Sequence, residues 1–224
     1  MDVAALVSGG KDSALALYRA LEDGYKVKYL VTVIPEREDS WMFHYPNTEL
    51  TNLFAESIGI SLVKTWTNLG KEEELRDLKR LLSNLDVEGV ISGAVSSEYQ
   101  KNRIDKVCGE LGLKSIAPLW REEPIRLMNE IIGLGFDVII VGVYAYGFNR
   151  KWLGRRIDEE ALKDLIELSR RFQVSILGEG GEYETFVLDA PYFKRRIQVV
   201  RAKVVWKADA GHFIIEEARL EDKA

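Results

Sequence analysis

Six residues near the start of the chain, Ser8-Gly9-Gly10-Lys11-Asp12-Ser13, have types and spacing suited to holding an anion. They follow an apolar run, Val3 to Val7, and open an amphipathic stretch that turns Leu17, Tyr18 and Leu21 inward, so they read as a loop from a strand into a helix. Such a loop presents backbone N–H groups and the positive end of a helix dipole to its occupant. Gly9 and Gly10 let the backbone approach phosphate oxygens with no Cβ in the way. Lys11 would supply a mobile positive charge, and Ser8 and Ser13 hydroxyl donors. Asp12 would repel phosphate unless it caps the helix or holds a cation, and a Mg²⁺ shared between Asp12 and the phosphates resolves the conflict. An ordinary glycine turn with a capping aspartate is the alternative. The spacing is neither that of the Walker loop nor that of the dinucleotide fingerprint.

A second cluster, Gly178-Glu179-Gly180-Gly181-Glu182-Tyr183-Glu184-Thr185, brings three carboxylates within six residues, spaced by glycines that let the backbone fold sharply. Carboxylates pointing into one cavity would suit a cationic ligand; solvated surface acids are the alternative. Trp41, Tyr144, Tyr146 and Trp152 offer aromatic faces for a quaternary ammonium, although Tyr144 fits a core position better. His44 reads as a loop histidine bonded to backbone rather than a base, and His212 as structural.

The elements that must position these clusters alternate between strands and helices over about the first 145 residues. Strands are expected at Lys26 to Ile34, Leu62 to Trp66 and Gly89 to Ser92, and helices from about Thr48 to Ile58 and along Leu75, Leu78, Leu82 and Leu85. This alternation implies a doubly wound, mostly parallel sheet with right-handed crossovers, whose ligands sit at the carboxyl ends of the strands. Ser97 and Gln100 suit a capping box opening a helix to about Leu111, and Phe136 to Tyr146 is the most apolar strand. Asp158 caps a helix turning Leu162, Leu165, Ile166 and Phe172 inward. Ile197 to Trp206 and Phe213 to Ala218 read as an antiparallel hairpin. The expected organisation is a nucleotide-binding domain over residues 1–95 and an α+β acceptor-substrate domain over residues 96–224, packed tightly together.

The 224 residues are enough to bury a sizeable core without disulfides, and a net charge of −5 argues against a general nucleic-acid binder. The single cysteine, Cys108, shares a helical face with Ile104, Val107 and Leu111 and reads as a core thiol. No signal peptide precedes Asp2 and no apolar run approaches the ~20 residues needed to span a bilayer, so a cytoplasmic, membrane-free protein is expected.

Ser8, Gly9, Gly10, Asp12 and Ser13 together resemble the signature of PP-loop N-type ATP pyrophosphatases, Ser-Gly-Gly-x-Asp-Ser directly after the first strand. The resemblance implies a PP-loop (HUP-like) fold and cleavage of ATP to AMP and pyrophosphate after an acceptor oxygen attacks the α-phosphorus. The stretch Gly178 to Thr185, with Leu188-Asp189-Ala190-Pro191, looks like the second signature of diphthine–ammonia ligases. Ser40 to His44 with Asn47, Gly93-Ala94 with Tyr99, Gln100 and Arg103, and Ala117 to Trp120 are similar to that family too. It implies amidation of diphthine, a modified histidine of translation elongation factor 2, by ATP and ammonium. Because eukaryotic relatives carry further C-terminal domains, the chain resembles a compact, archaeal-type form.

On this reading Lys11, Asp12, Glu182 and Glu184 act in catalysis, with Asp12 on the metal. Ser8 to Ser13, Thr32 and Gly93 hold ATP, the adenine lying near Val31-Thr32-Val33. Tyr99, Gln100 and Arg103 serve ATP or the acceptor, and Gly178 to Glu182, Glu184 and Thr185 serve the acceptor. A lone core cysteine leaves no glutaminase nucleophile and no sulfur carrier, so free ammonia is the expected nitrogen donor. Two rival classes remain: a tRNA-directed PP-loop enzyme, whose basic surface would draw on Lys151, Arg155, Arg156, Lys194, Arg195 and Arg196, and a non-catalytic nucleotide sensor.

Overall fold

A computed structural model describes residues 1–35, 46–67 and 71–223, with no account of the side chains of 35, 46–49, 71 and 72. The chain forms two compact units, Met1–Ser8 with Asp12–Trp120, and Gly9–Lys11 with Arg121–Ala224.

The first unit is built on a five-stranded parallel sheet of β1 (Asp2–Leu6), β2 (Lys26–Pro35), β3 (Ser61–Thr67), β4 (Gly89–Ile91) and β5 (Lys114–Ile116), in the order β3-β2-β1-β4-β5. The connections run through α1 (Lys11–Glu22), α2 (Pro46–Ile58), α3 (Lys71–Leu82) and α4 (Glu98–Leu111). The strand order reverses on either side of β1, so the loop leaving β1 stands at a switch point, where such sheets bind ligands. Leu78, Leu81 and Leu82 of α3 and Val107 and Cys108 of α4 share one core cluster with Ala4, Val31 and Val90 of the sheet. Leucines one helical turn apart and alternating strand residues thus meet in a dry layer. Ser97 caps α4, its Oγ accepting from the Gln100 N–H at 3.3 Å. The doubly wound sheet follows the sequence expectation, with one addition: β5 is three residues long and gives too short an apolar run to be read by periodicity.

The expected boundary at 95/96 falls inside this unit. β5 pairs in parallel with β4, and α4 packs in the same core as α3, so the unit continues to Trp120.

The second unit holds an antiparallel sheet of β6 (Asp137–Val143), β7 (Tyr183–Asp189), β8 (Arg195–Lys207) and β9 (Ala210–Asp222), in the order β7-β6-β9-β8, with helices α5 (Pro124–Gly133) and α6 (Glu159–Phe172). The apolar strand read at Phe136 to Tyr146 is present as β6, but it leads this sheet rather than continuing the parallel one. Its neighbours β7 and β9 run opposite to it on both sides, an arrangement that local periodicity cannot report. Asp158 caps α6 through its carboxylate and the Ala161 N–H at 2.7 Å. Leu162 and Leu165 are buried as expected, while Ile166 and Phe172 are only partly covered. The hairpin β8–β9 is longer than the apolar runs suggested, because its charged open end stays paired, Arg196 bonding Glu221.

Candidate active site

The glycine loop leaves β1 and enters α1 as expected. Ser8 and Ser13 face one another across the turn, the Ser8 N–H donating to Ser13 Oγ at 3.3 Å and the two hydroxyls standing 3.4 Å apart. Asp12 lies in the first turn of α1, where its charge meets the positive end of the helix dipole. Gly93, just beyond β4, fits against this turn: a Cβ there would stand 2.7 Å from Ser13 N and 2.8 Å from Asp12 C. Both are backbone atoms, so only glycine lets β4 approach the start of α1. Thr32 is buried and donates its hydroxyl to the Val7 carbonyl, tying the end of β2 to the end of β1. Its side chain therefore shapes the strand ends.

Farther along the first unit, Tyr99, Gln100 and the Arg103 guanidinium lie on the opening turns of α4. Arg103 bonds Glu74 at 3.1 Å and the Tyr99 hydroxyl, with its guanidinium 5.0 Å from the Tyr99 ring centre. Tyr99 and Gln100 are exposed. Cys108 is 1% exposed, and burial together with the Asp105 charge pushes its thiol up to about 11. Such a thiol holds no thiolate at neutral pH, and the core reading stands.

Gly9, Gly10 and Lys11 belong to the second unit, and the contacts explain why. The Gly9 carbonyl accepts from the Val187 N–H at 2.9 Å, and a Cβ at Gly9 would strike the Phe186 ring at 2.6 Å. The Lys11 N–H donates to Thr185 Oγ1 at 3.2 Å. Lys11 is 2% exposed, its Nζ donating to the Leu177 carbonyl at 2.5 Å and lying 5.2 Å from the Tyr183 ring centre. The expectation of a mobile lysine is thereby corrected. A carbonyl and an aromatic face hold the ammonium in place, giving a fixed positive charge at low reorganisation cost.

The acidic stretch is corrected as well. It is not one loop aiming three carboxylates into a single cavity, because Tyr183 onward is strand β7 and the acids take separate partners. Glu182 Oε1 accepts from the Ser175 N–H at 3.1 Å, while its Oε2 is buried without a hydrogen-bond partner. Glu184 Oε2 accepts from the Tyr144 hydroxyl at 3.2 Å, and burial raises the Glu184 carboxyl while that bond opposes the rise. Glu179 is half-buried, and Gly178 and Gly181 have φ of +73° and +83°, as the sharp turn requires. Gly180 lies exposed between them.

The aromatic candidates divide. Trp152 is buried against Phe148 and Arg155, and Tyr146 is 83% exposed with Phe172 at its edge. Tyr144 is drawn into the polar site by Glu184 and by His212, whose Nδ1 stands 3.5 Å from its hydroxyl. Reading both as structural missed this, since no spacing in the sequence links residues 144, 184 and 212. Ser40 to His44, including Trp41, lie outside the described residues, as does the side chain of Asn47. Of the basic residues that an RNA surface would need, Arg155 pairs with Asp164 at 2.7 Å, Arg156 with Asp137 at 2.7 Å, and Arg196 with Glu221. Partnered guanidiniums of this kind offer little free charge to a phosphate backbone.

A parallel α/β unit with a glycine loop leaving β1 at its switch point has the layout of a ligand-binding doubly wound domain. The sequence matches the diphthamide synthase N-terminal domain over residues 1–115 and the diphthamide synthase C-terminal domain over residues 123–220. The chain belongs to the diphthamide synthase family.

It is similar to proteins named diphthine–ammonia ligase: 37% identical to that of Schizosaccharomyces pombe, over 92% of this chain and 37% of the relative. The Danio rerio protein is 34% identical over 100% of this chain and 98% of the relative, and the Homo sapiens protein 34% over 100% and 94%. The expectation that eukaryotic relatives are longer thus holds for the yeast protein and not for the vertebrate ones. A solved structure described as a predicted subunit of tRNA methyltransferase from Methanocaldococcus jannaschii is similar at 16% identity with a TM-score of 0.44, over 76% of this chain and 88% of that one.

Proposed function

We propose that this chain is a diphthine–ammonia ligase, joining ammonia to the carboxylate of diphthine on translation elongation factor 2 with cleavage of ATP to AMP and pyrophosphate. The observation that carries the reading is the end-to-end agreement with relatives bearing that name. The site suits each stage. The diphthine carboxylate attacks the α-phosphorus, and the loop Ser8 to Ser13 stabilises the departing pyrophosphate through backbone N–H groups, the α1 dipole and the buried Lys11 charge. Ammonia then attacks the acyl carbon and AMP leaves. Gly93 sets the loop against β4, and Thr32 sets the strand ends. Tyr99, Gln100 and Arg103 serve the nucleotide or the acceptor, and Glu182 and Glu184 meet the cationic acceptor or the incoming ammonium.

No group of three or more His, Cys, Asp and Glu side chains that could hold a metal occurs among the described residues. A lone carboxylate at Asp12 still fits Mg²⁺, which is bound through one or two carboxylates together with phosphate oxygens and water. Bound there, it would neutralise charge on the leaving pyrophosphate. A cytosolic protein is consistent with this substrate, and no helix among the described residues is long and apolar enough to cross a membrane.

The deciding experiment is mass spectrometry of diphthine-bearing elongation factor 2 after incubation with the protein, ATP, Mg²⁺ and ammonium. Conversion of acid to amide, with one pyrophosphate released per amide, is the expected result. ATP bound without pyrophosphate release would indicate a sensor instead.

A further inference from the structure

Gly142 on β6 pairs with Glu184 of β7 on one side and with His212 of β9 on the other. Residues paired across neighbouring strands point to the same face of a sheet, so Glu184 and His212 flank the place where Gly142 lacks a side chain. The Tyr144 hydroxyl fills that place: a Cβ on Gly142 would stand 2.1 Å from it. From there the hydroxyl reaches Glu184 Oε2 at 3.2 Å and His212 Nδ1 at 3.5 Å, while the Tyr144 backbone N–H is fixed by the Glu182 carbonyl at 2.8 Å. Three strands and one missing side chain thus build a row of carboxylate, phenol and imidazole.

We propose that Tyr144 and His212 form a proton relay behind Glu184, carrying to solvent the proton that ammonium must lose before it can attack. This rests on the ligase reading and on Glu184 as the group that meets ammonium. The Glu184 carboxylate takes one proton from ammonium and leaves neutral ammonia. The new carboxyl O–H passes its proton to the Tyr144 oxygen as the Tyr144 O–H passes its own to His212 Nδ1. Carboxylate and phenol are restored, and the half-exposed His212, now an imidazolium, gives the proton to water. The electrostatics agree with the geometry. Burial raises the Glu184 carboxyl, making it a better base, and burial lowers His212, keeping its ring neutral with a lone pair to receive the proton. The Tyr144 hydroxyl is held protonated by burial and by the Glu184 charge, as a shuttle requires.

The test compares ammonium with hydroxylamine, which is already neutral at neutral pH and needs no base. Tyr144→Phe and His212→Gln are assayed with both nucleophiles on diphthine-bearing elongation factor 2, reading amide and hydroxamate by mass spectrometry. The ratio of the two rates does not depend on how much of a variant is folded. In Tyr144→Phe the ammonium rate is expected to fall at least about tenfold relative to the hydroxylamine rate, and in His212→Gln in the same direction. A ratio unchanged from wild type in both variants overturns the relay. Wild-type protein that forms neither product overturns the ligase reading itself, and does so before any variant is made.

Discussion

The glycine loop at Ser8 to Ser13 and the polar row at Glu184, Tyr144 and His212 are made in opposite ways. The loop works mainly through backbone: N–H groups at a helix start, two adjacent glycines and a dipole, all specified within a dozen residues of sequence. The row works through side chains 28 to 68 residues apart that meet only because β7, β6 and β9 are neighbours in register. Lys11 joins both styles. Its position in sequence comes from the loop motif, but its Nζ is held by Leu177 and Tyr183, far away in the chain. On the proposed reading, anion binding is encoded locally, whereas handling of the nitrogen nucleophile depends on the sheet.

Substitutions that separate the two regions test this contrast, and the loop should respond most strongly. Asp12→Ala and Lys11→Ala are each expected to reduce ATP turnover tenfold or more, about 1.4 kcal/mol of lost stabilisation. Lys11→Ala should also lower stability by about 1–3 kcal/mol, because the buried Leu177 carbonyl loses its donor. Turnover assays with denaturant melts check both; full activity in the two variants would remove the loop from the mechanism. Gly93→Ala should weaken ATP binding, since its Cβ would displace the Asp12–Ser13 backbone. An unaffected Kd for ATP would show that the start of α1 tolerates the shift.

A smaller and more selective effect is expected in the acidic strand. Glu182→Gln and Glu184→Gln keep size and hydrogen-bonding reach while losing charge, so ATP affinity should stay nearly intact while amide formation falls. Measuring both quantities on each variant distinguishes an acceptor role from a solvated acid, which would leave amidation at wild-type level at every ionic strength.

Smaller still is the pH effect. The Glu184 carboxyl is raised in the fold, so the native state binds more protons than the unfolded chain just above the ordinary glutamate range. Its contribution is complete at lower pH and is lost as pH rises through the folded value. Glu184→Gln should remove that decline, giving a Tm that changes less between acidic and neutral pH than wild type. A pH dependence identical to wild type would show that Glu184 titrates normally.

The least effect is expected at Cys108. Cys108→Ala should leave ammonium-dependent amidation unchanged, with glutamine unable to replace ammonium in either protein. Nitrogen transfer from glutamine that disappears in the variant would overturn the free-ammonia reading.

The sequence alone determined the features whose physics is short-ranged. Strand–loop–helix at Val3 to Leu21, the caps at Ser97 and Asp158, the apolar faces of α3 and α6 and the core position of Cys108 each depend on residues within a few turns of one another. The glycine–acid signature Gly178 to Thr185 was legible as a motif, and with it the family. What the acids do was not. A row of carboxylates written in sequence looks like one cluster, and pairing along β6 gives Glu184 to Tyr144 while Glu182 turns to the Ser175 N–H.

Tertiary structure alone decided that β5 extends the first unit past residue 95, that β6 opens an antiparallel sheet, that Lys11 is buried and that His212 joins the polar row. The physical reason is common to all four. Strand neighbours and buried charges are fixed by hydrogen bonds and desolvation between segments remote in sequence, and hydrophobic periodicity carries no record of which segment lies opposite.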